Sequence, residues 1–434
     1  MSLLDGISSE DFIKALTTAP YVNCPVCGAK NTAGTCVIAR RSFSRRCFKC
    51  GENSSGGSLP DLDKKIIYLD QCALGFMLRA LIYKEGETKE KEDQVPVIEN
   101  FLKAFEKIDI LNKKQLLICP KSDFHFKETS IMSEERAKAL THVNTLLSST
   151  NSFFEASRII TRQTFSHFSA WLQGETFEFN DDKKEATSST VDDWNMWINV
   201  VVNHKLSEEY VESLQTEKED NHKELGGLFA KWQKENGKSY DEFRTLELSN
   251  FGLLMTTLPS MQSYSLPDVS SMIELLFRSV MYPDYLHQIS RSFFGICEKY
   301  GVSEDKRAEK IHEYFLSEEI LQVPFFQISS ALTALVAHRA SQNEDMKVDG
   351  NNIIDILFMS LFLPYTDAVL METKWHRDLL TLPLTYKAKV FSFSNMPDFF
   401  TYLNDIESSA SQEIIDKAKN VYGDLKPYYT VHKL

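Results

Sequence analysis

The sequence predicts an α/β protein in which a parallel sheet flanked by helices is interrupted by a large helical insertion and preceded by a small cysteine-rich unit. Three observations carry this expectation. Short apolar runs at 65–69, 115–119, 368–371 and 388–393 read as buried strands, and helical spacing follows or precedes each of them. Between the second and third runs, residues 133–342 keep helical spacing with no sustained strand alternation. Five of the eight cysteines fall in the first fifty residues.

In chain order, a short helix at 9–16 leads into the cysteine segment. That segment ends in Gly51-Glu52-Asn53-Ser54-Ser55-Gly56-Gly57-Ser58, whose composition predicts a flexible linker and a boundary near residue 60. The run 65–69 and a helix over 73–83 then open an α/β unit. A charged stretch at 84–93, a helix at 97–105 and the second run follow. Pro120 stops that run, and Ser122 is placed to cap a helix carrying His125 and Glu128. After the insertion come a helix ending near Leu363, the third run, a helix over 375–380 and the last run. The expected units are therefore 1–60, 61–132, 133–342 and 343–434.

At 434 residues, 43% hydrophobic and 25% charged, the chain is long enough for two or three domains. A net charge of −13 argues against a surface coated with nucleic acid and leaves room for a local basic patch. The opening residues show no charged-then-apolar leader, which predicts a cytoplasmic chain starting at Met1. The most apolar stretch, 353–371, contains Asp355, Pro364 and Asp367, and so reads as a buried helix and strand with no role in a membrane. Phosphate-cradling, dinucleotide-binding and serine-hydrolase glycine motifs are lacking in the sequence.

Cys24-Pro25-Val26-Cys27 and Cys47-Phe48-Lys49-Cys50 are each followed by glycine, which permits the tight turn that aims two sulfurs at one ion. Clustered thiolates in a chain without a leader read as a metal site in a reducing compartment. Four thiolates suit a structural Zn²⁺ with no open position, and the segment resembles a zinc ribbon. Between the pairs, Arg40, Arg41, Arg45 and Arg46 crowd one hairpin with Phe43. Two readings stay open for them: phosphate contact with base stacking, or a charged edge strand protected from aggregation.

The acidic residues carry the rest. Asp70 ends an apolar strand, the edge at which open α/β sheets place their ligands. Glu128 lies on the helix after Pro120, Asp355 early in a later helix, and Glu372 just past the third run, with Asp367 before that run as an alternative fourth acid. Taken in order, Tyr68-Leu69-Asp70-Gln71, the segment from Pro120 to Glu128, Asp355, and the stretch from Asp367 to Lys374 resemble the acidic motifs of PIN-domain nucleases. The resemblance covers roughly residues 64–130 and 345–400, around an insertion far longer than an ordinary loop. It departs from the family at Glu372, where an aspartate is usual.

What the resemblance implies is a PIN-like nuclease that hydrolyses phosphodiester bonds, usually in RNA, with Asp70, Glu128, Asp355 and Glu372 around a catalytic ion. Crowded carboxylates repel unless a cation neutralises them, and oxygen ligands select Mg²⁺ or Mn²⁺. His125, Lys374 and Arg377 are candidate phosphate contacts. The alternatives are a non-catalytic nucleic-acid or protein-binding module on a degenerate PIN-like fold, and a toxin-like or defence nuclease restrained by a partner. The helical insertion is a possible partner surface.

Overall fold

The computed structural model describes residues 8–39, 41–86, 90–179, 181–188, 191–194, 206–261, 266–343, 346–347 and 349–423. Its strands fall into two sheets. β1 (Thr18–Val22), β2 (Ala33–Ala39), β3 (Ser42–Cys47) and β4 (Asn53–Ser58) form an antiparallel sheet in sequential order. β5 (Lys65–Leu69), β6 (Leu117–Ile118), β7 (Ala368–Met371) and β8 (Lys389–Ser392) form a wholly parallel sheet in the order β6-β5-β7-β8. β5 therefore sits inside the sheet, paired with β7 from the far end of the chain through Ile67↔Ala368 and Leu69↔Leu370.

Parallel strands are buried on both faces, and here alternate residues feed two different cores. Ile67, Leu69, Leu117, Ala368 and Leu370 face one layer of helices, Gln71–Lys84, Val95–Lys113, Glu134–Ser148 and Met396–Ser408. Ile66, Tyr68, Ile118, Val369 and Met371 face the other, which runs through Asn351–Phe362 and Pro324–Gln342 into the helical middle of the chain.

The structure differs from the sequence expectation in three places. Residues 53–58 are strand β4 and not a linker: Gly56 and Gly57 pass over the buried Phe43 ring, and a Cβ added at Gly56 would lie 2.2 Å from that ring. Composition signals flexibility, but here glycine serves close approach. Second, Glu134–Ser148, expected in the insertion, buries Leu140, Val143 and Leu147 in the first core of the sheet. Beyond it, the insertion shares its core with the sheet's other face, so it forms a layer of the same body. Third, the second strand shrinks to two residues, because the preceding helix extends to Lys113 and Gln115 turns the chain with φ +61°.

The antiparallel sheet is tied to the last helix, Gln412–Tyr422. The Arg45 guanidinium donates to the Asn420 carbonyl and Oδ1 at 2.8 and 2.9 Å, and the Thr35 hydroxyl donates to the Val421 carbonyl at 2.9 Å. Among the described residues no helix is long and apolar enough to cross a membrane.

Replacing Gly56 with alanine is expected to lower stability by about 1–3 kcal/mol, since the added methyl forces the buried Phe43 ring or the strand to shift. Thermal melting, with hydrogen exchange across 42–58 localising the loss, checks this.

Candidate functional site

Asp70 and Glu372 directly follow two adjacent parallel strands and occupy the position before the first turn of the helices Gln71–Lys84 and Thr373–Thr381. The Asp70 N–H donates to the Leu370 carbonyl at 3.1 Å, which continues the ladder by one residue beyond β5. Glu128 comes from the helix Asp123–Ser130 and Asp355 from Asn351–Phe362. All four acids line one cleft of about 340 Å³ at the carboxyl edge of the parallel sheet, together with Gln71, Cys72, Arg79, Arg136, Lys374 and Trp375 among others.

Two helices are set against β5 by Tyr68. Its buried ring stacks on His125, 5.1 Å between centroids, and on Phe358, also 5.1 Å, while its hydroxyl lies 3.2 Å from Ser122 Oγ. The helix carrying Glu128 is further held by His125, whose Nε2 lies 2.8 Å from the Leu69 carbonyl and whose Nδ1 accepts from the Ser122 N–H at 3.1 Å. With the carbonyl able only to accept, Nε2 carries the proton and the ring is neutral. Burial holds its pKa down at about 4, against a smaller upward pull from the Leu69 hydrogen bond. His125 is therefore a fastener within the core, which corrects the expectation of a phosphate contact.

Burial also governs the acids. Asp70 is pushed up to about 7, first by burial and then by Glu372, against the N–H groups of Gln71 and Cys72. Glu128 is likewise pushed up to about 7, by burial and by Asp70, with Lys218 pulling the other way. Asp355 rises well above its usual range through burial, Asp70, Glu128 and Glu372, despite the Trp375 indole donating to its Oδ2 at 2.7 Å. The Cys72 thiol donates to Glu372 Oε1 at 2.9 Å. These are mutually destabilising carboxylates at the floor of an open cleft, where a cation would relieve the repulsion.

The cations are distributed unequally. Lys374 lines the cleft, 3.0 Å from Asn352 Oδ1 and 4.7 Å above the Trp375 ring. Arg136 lines it too, is exposed, and has no hydrogen bond or ion pair among the described residues. Arg79 is already paired with Glu90. Arg377 is exposed on the helix Thr373–Thr381 and does not line the cleft.

Asp367 is corrected as a metal candidate. It precedes β7, at the opposite end of the sheet, where its Oδ2 accepts from the Ile66 N–H at 2.7 Å and pairs with Lys183 Nζ at 2.6 Å. Gln71, Cys72, Arg136 and Trp375 were not singled out in the sequence. Adjacency to Asp70 could have flagged the first two, and Trp375 lies three residues after Glu372, but an isolated exposed arginine such as Arg136 carries no sequence signal.

Cys24, Cys27, Cys47 and Cys50 form a group whose sulfurs all lie within 4.8 Å of one another, close enough to hold a metal such as zinc. The Cys24–Cys50 and Cys27–Cys47 separations are 3.7 and 3.9 Å, against roughly 3.8 Å for a tetrahedron with zinc–sulfur bonds of about 2.3 Å. The two turns match: Cys27 and Cys50 N–H groups each donate to the preceding cysteine's sulfur at 3.5 Å, and Gly28 and Gly51 adopt φ +72° and +76°.

The basic hairpin beside this cluster does not form the expected stacking platform. Phe43 is 3% exposed and packs on Leu59, Leu62 and Val421, while Arg45 is spent on Asn420. Arg46 donates to the Gly51 carbonyl, Arg41 is exposed but paired with Asp61, and Arg40 lies outside the described residues. β3 lies between β2 and β4, so the edge-strand reading fails as well.

Among the described residues, these four cysteines form the only group of three or more potential ligands gathered so closely. The acids share a cleft but are held more openly, with Asp355 drawn to Trp375 and Glu372 to Cys72. No protein-family model matches the chain, no curated protein matches it significantly, and no solved structure does.

A raised carboxylate costs stability once it ionises. Between its ordinary value near 4 and its folded value of about 7, Asp70 keeps a proton that the unfolded chain has released, so its contribution to stability falls as pH rises through that window. Buried His125, depressed to about 4, acts in the opposite sense below its ordinary value of about 6.5, which makes a single pH curve ambiguous. The melting temperature of Asp70→Asn relative to wild type is therefore the informative quantity in metal-free buffer. It is expected to increase from pH 4 and to level off above about pH 7, and a flat difference would contradict the assignment of Asp70 as a raised acid.

Proposed function

We propose that the chain is a divalent-metal-dependent nuclease hydrolysing phosphodiester bonds, with RNA the substrate favoured by its resemblance to PIN-domain enzymes. The observation that carries this reading is the meeting of Asp70, Glu128, Asp355 and Glu372, from four distant segments, in one cleft at the carboxyl edge of a parallel sheet. Their donor atoms are hard oxygens, which suit Mg²⁺ or Mn²⁺. The side-chain oxygen of Gln71, buried in the same cleft without a hydrogen-bond partner, adds a further acceptor of that kind.

In this reading the four carboxylates hold the ion, which when bound activates water and stabilises the charge building on the phosphate. The chain's own contribution is position and charge. Asp70 and Glu372 are aligned by the register of β5 and β7, Glu128 and Asp355 by the stacking of their helices on Tyr68. Lys374 and Arg136, at the cleft wall, orient the substrate phosphate over them. With no ion bound, burial and neighbouring acids keep Asp70 and Glu128 protonated up to about pH 7, and a cation would have to displace those protons, so Mn²⁺ affinity rises with pH through that region.

Asp70→Asn is expected to abolish Mn²⁺-dependent cleavage of single-stranded RNA while the protein stays folded, as read by gel assay beside circular dichroism. Cleavage at the wild-type rate would overturn the nuclease reading.

A second reading, a non-catalytic binding module, is favoured by one observation: the acids are not gathered into a group as tight as the four cysteines. Manganese titration followed by calorimetry separates the two, since this reading expects no heat that Asp70→Asn removes.

For the front unit we infer a structural Zn²⁺ on Cys24, Cys27, Cys47 and Cys50, since four thiolates leave no position open for chemistry. The purified chain is expected to carry zinc by elemental analysis, and Cys47→Ser to lose it and expose 18–58 to proteolysis while the parallel sheet stays folded. Retention of stoichiometric zinc by that variant would refute the site.

A further inference from the structure

The carboxylate cleft does not end at Glu128. A second depression shares Glu128 and Asn351 with it and continues between the helix Asp123–Ser130, the helix Asn351–Phe362 and the long helix Glu208–Trp232 of the insertion. Its walls are apolar, from Ile131, Leu214, Ile353 and Ile354, and its charged lining besides Glu128 comes from Lys127, Glu217 and Lys218.

These charges are not equivalent. Lys127 Nζ pairs with Glu217 at 2.7 Å and also donates to the Ser279 carbonyl at 3.0 Å, so both members of that pair are occupied. Lys218 is exposed and has no hydrogen bond or ion pair among the described residues. It lines the same depression as Glu128, on the side that the insertion supplies. An uncommitted ammonium beside an apolar-walled groove, continuous with a hard-cation site, is complementary to a nucleotide: phosphate outward on the cation, base or sugar against the hydrocarbon walls.

We propose that Lys218, from the helical insertion, contacts a phosphate flanking the one to be cleaved, and that the adjoining nucleotide of a single strand rests the edge of its base or sugar against the shallow depression, of about 60 Å³, between the insertion and Glu128. This rests on the nuclease reading and extends it by assigning the insertion a part in substrate binding. The strand then runs across the site, over the carboxylates, past Glu128 and out along the helix Glu208–Trp232.

The test measures binding of a labelled single-stranded RNA of about 12 nucleotides, within the range that single-strand grooves cover. It uses the full chain in the Asp70→Asn background, so that cleavage does not interfere, at several salt concentrations. Lys218→Glu is expected to weaken binding about tenfold, and Lys218→Ala to lower the slope of log affinity against log salt by about 0.7, the value for one single-strand phosphate contact. A purely structural role would leave that slope unchanged.

The outcomes separate the two readings. RNA binding without cleavage by the unmutated chain overturns the nuclease reading alone. Cleavage by the unmutated chain, with slope and affinity unaltered in both Lys218 variants, overturns the Lys218 contact alone. Failure of the chain to bind RNA, or a stronger Lys218-dependent affinity for polyglutamate than for RNA, overturns the nucleotide groove.

Discussion

The ring of Tyr68 is the contact on which the arrangement of the site depends. It lies on β5, two residues before Asp70, and is 2% exposed. One helix reaches it through His125 and another through Phe358, and these helices carry Glu128 and Asp355. Because both are packed against the strand that presents Asp70, three acids share one reference frame. The His125–Leu69 hydrogen bond adds a polar constraint that sliding along the ring would break. Glu372 joins through a separate route, the parallel register of β5 with β7. Packing and backbone pairing thus do what no local sequence feature could, and hold like charges together.

That arrangement has a cost, visible in where the acids titrate. Asp70, Glu128 and Asp355 are all shifted upward, with burial the largest cause and the charge of a neighbouring acid the next: Glu372 for Asp70, and Asp70 for the other two. An ordinary structural carboxylate avoids such a position or acquires a partner there, as Asp367 does with Lys183 and as Glu407 does with Lys107 and Lys114. Asp355 and Glu372 instead have the Trp375 indole and the Cys72 thiol as hydrogen-bond partners, which do not neutralise them. Strain of this kind is characteristic of sites retained for function at the expense of stability. The four cysteines differ in that their sulfurs already lie within 4.8 Å of one another, with the Cys24–Cys50 and Cys27–Cys47 separations at tetrahedral values.

The helical middle of the chain is part of this economy. Its core is continuous with the face of the sheet that carries Tyr68, so it buries the strand surface that an α/β protein must cover on both sides. Its helix Glu208–Trp232 also lines the depression next to the cleft, with Leu214 and Lys218 on the same wall surface as Glu128. One layer therefore supplies both the packing behind the acids and a wall beside them.

Much of the chain was legible from local pattern. Period and run length identified β5, β7 and β8 within a residue or two, the paired Cys-x-x-Cys-Gly turns identified the four-cysteine cluster, and the position of Asp70 after a buried strand marked the edge where the acids meet. These features are local because they arise from the backbone repeat and from turns of a few residues. Side-chain partners from remote segments were not legible. Folding buried His125 and Phe43, engaged Arg45 with Asn420, paired Asp367 with Lys183 and turned the glycine-rich stretch at 53–58 into a strand over Phe43. Composition states which groups a segment can offer. Whether each is spent inside the protein or left for a ligand depends on what the rest of the chain brings within about 4 Å of it, and only tertiary packing decides that.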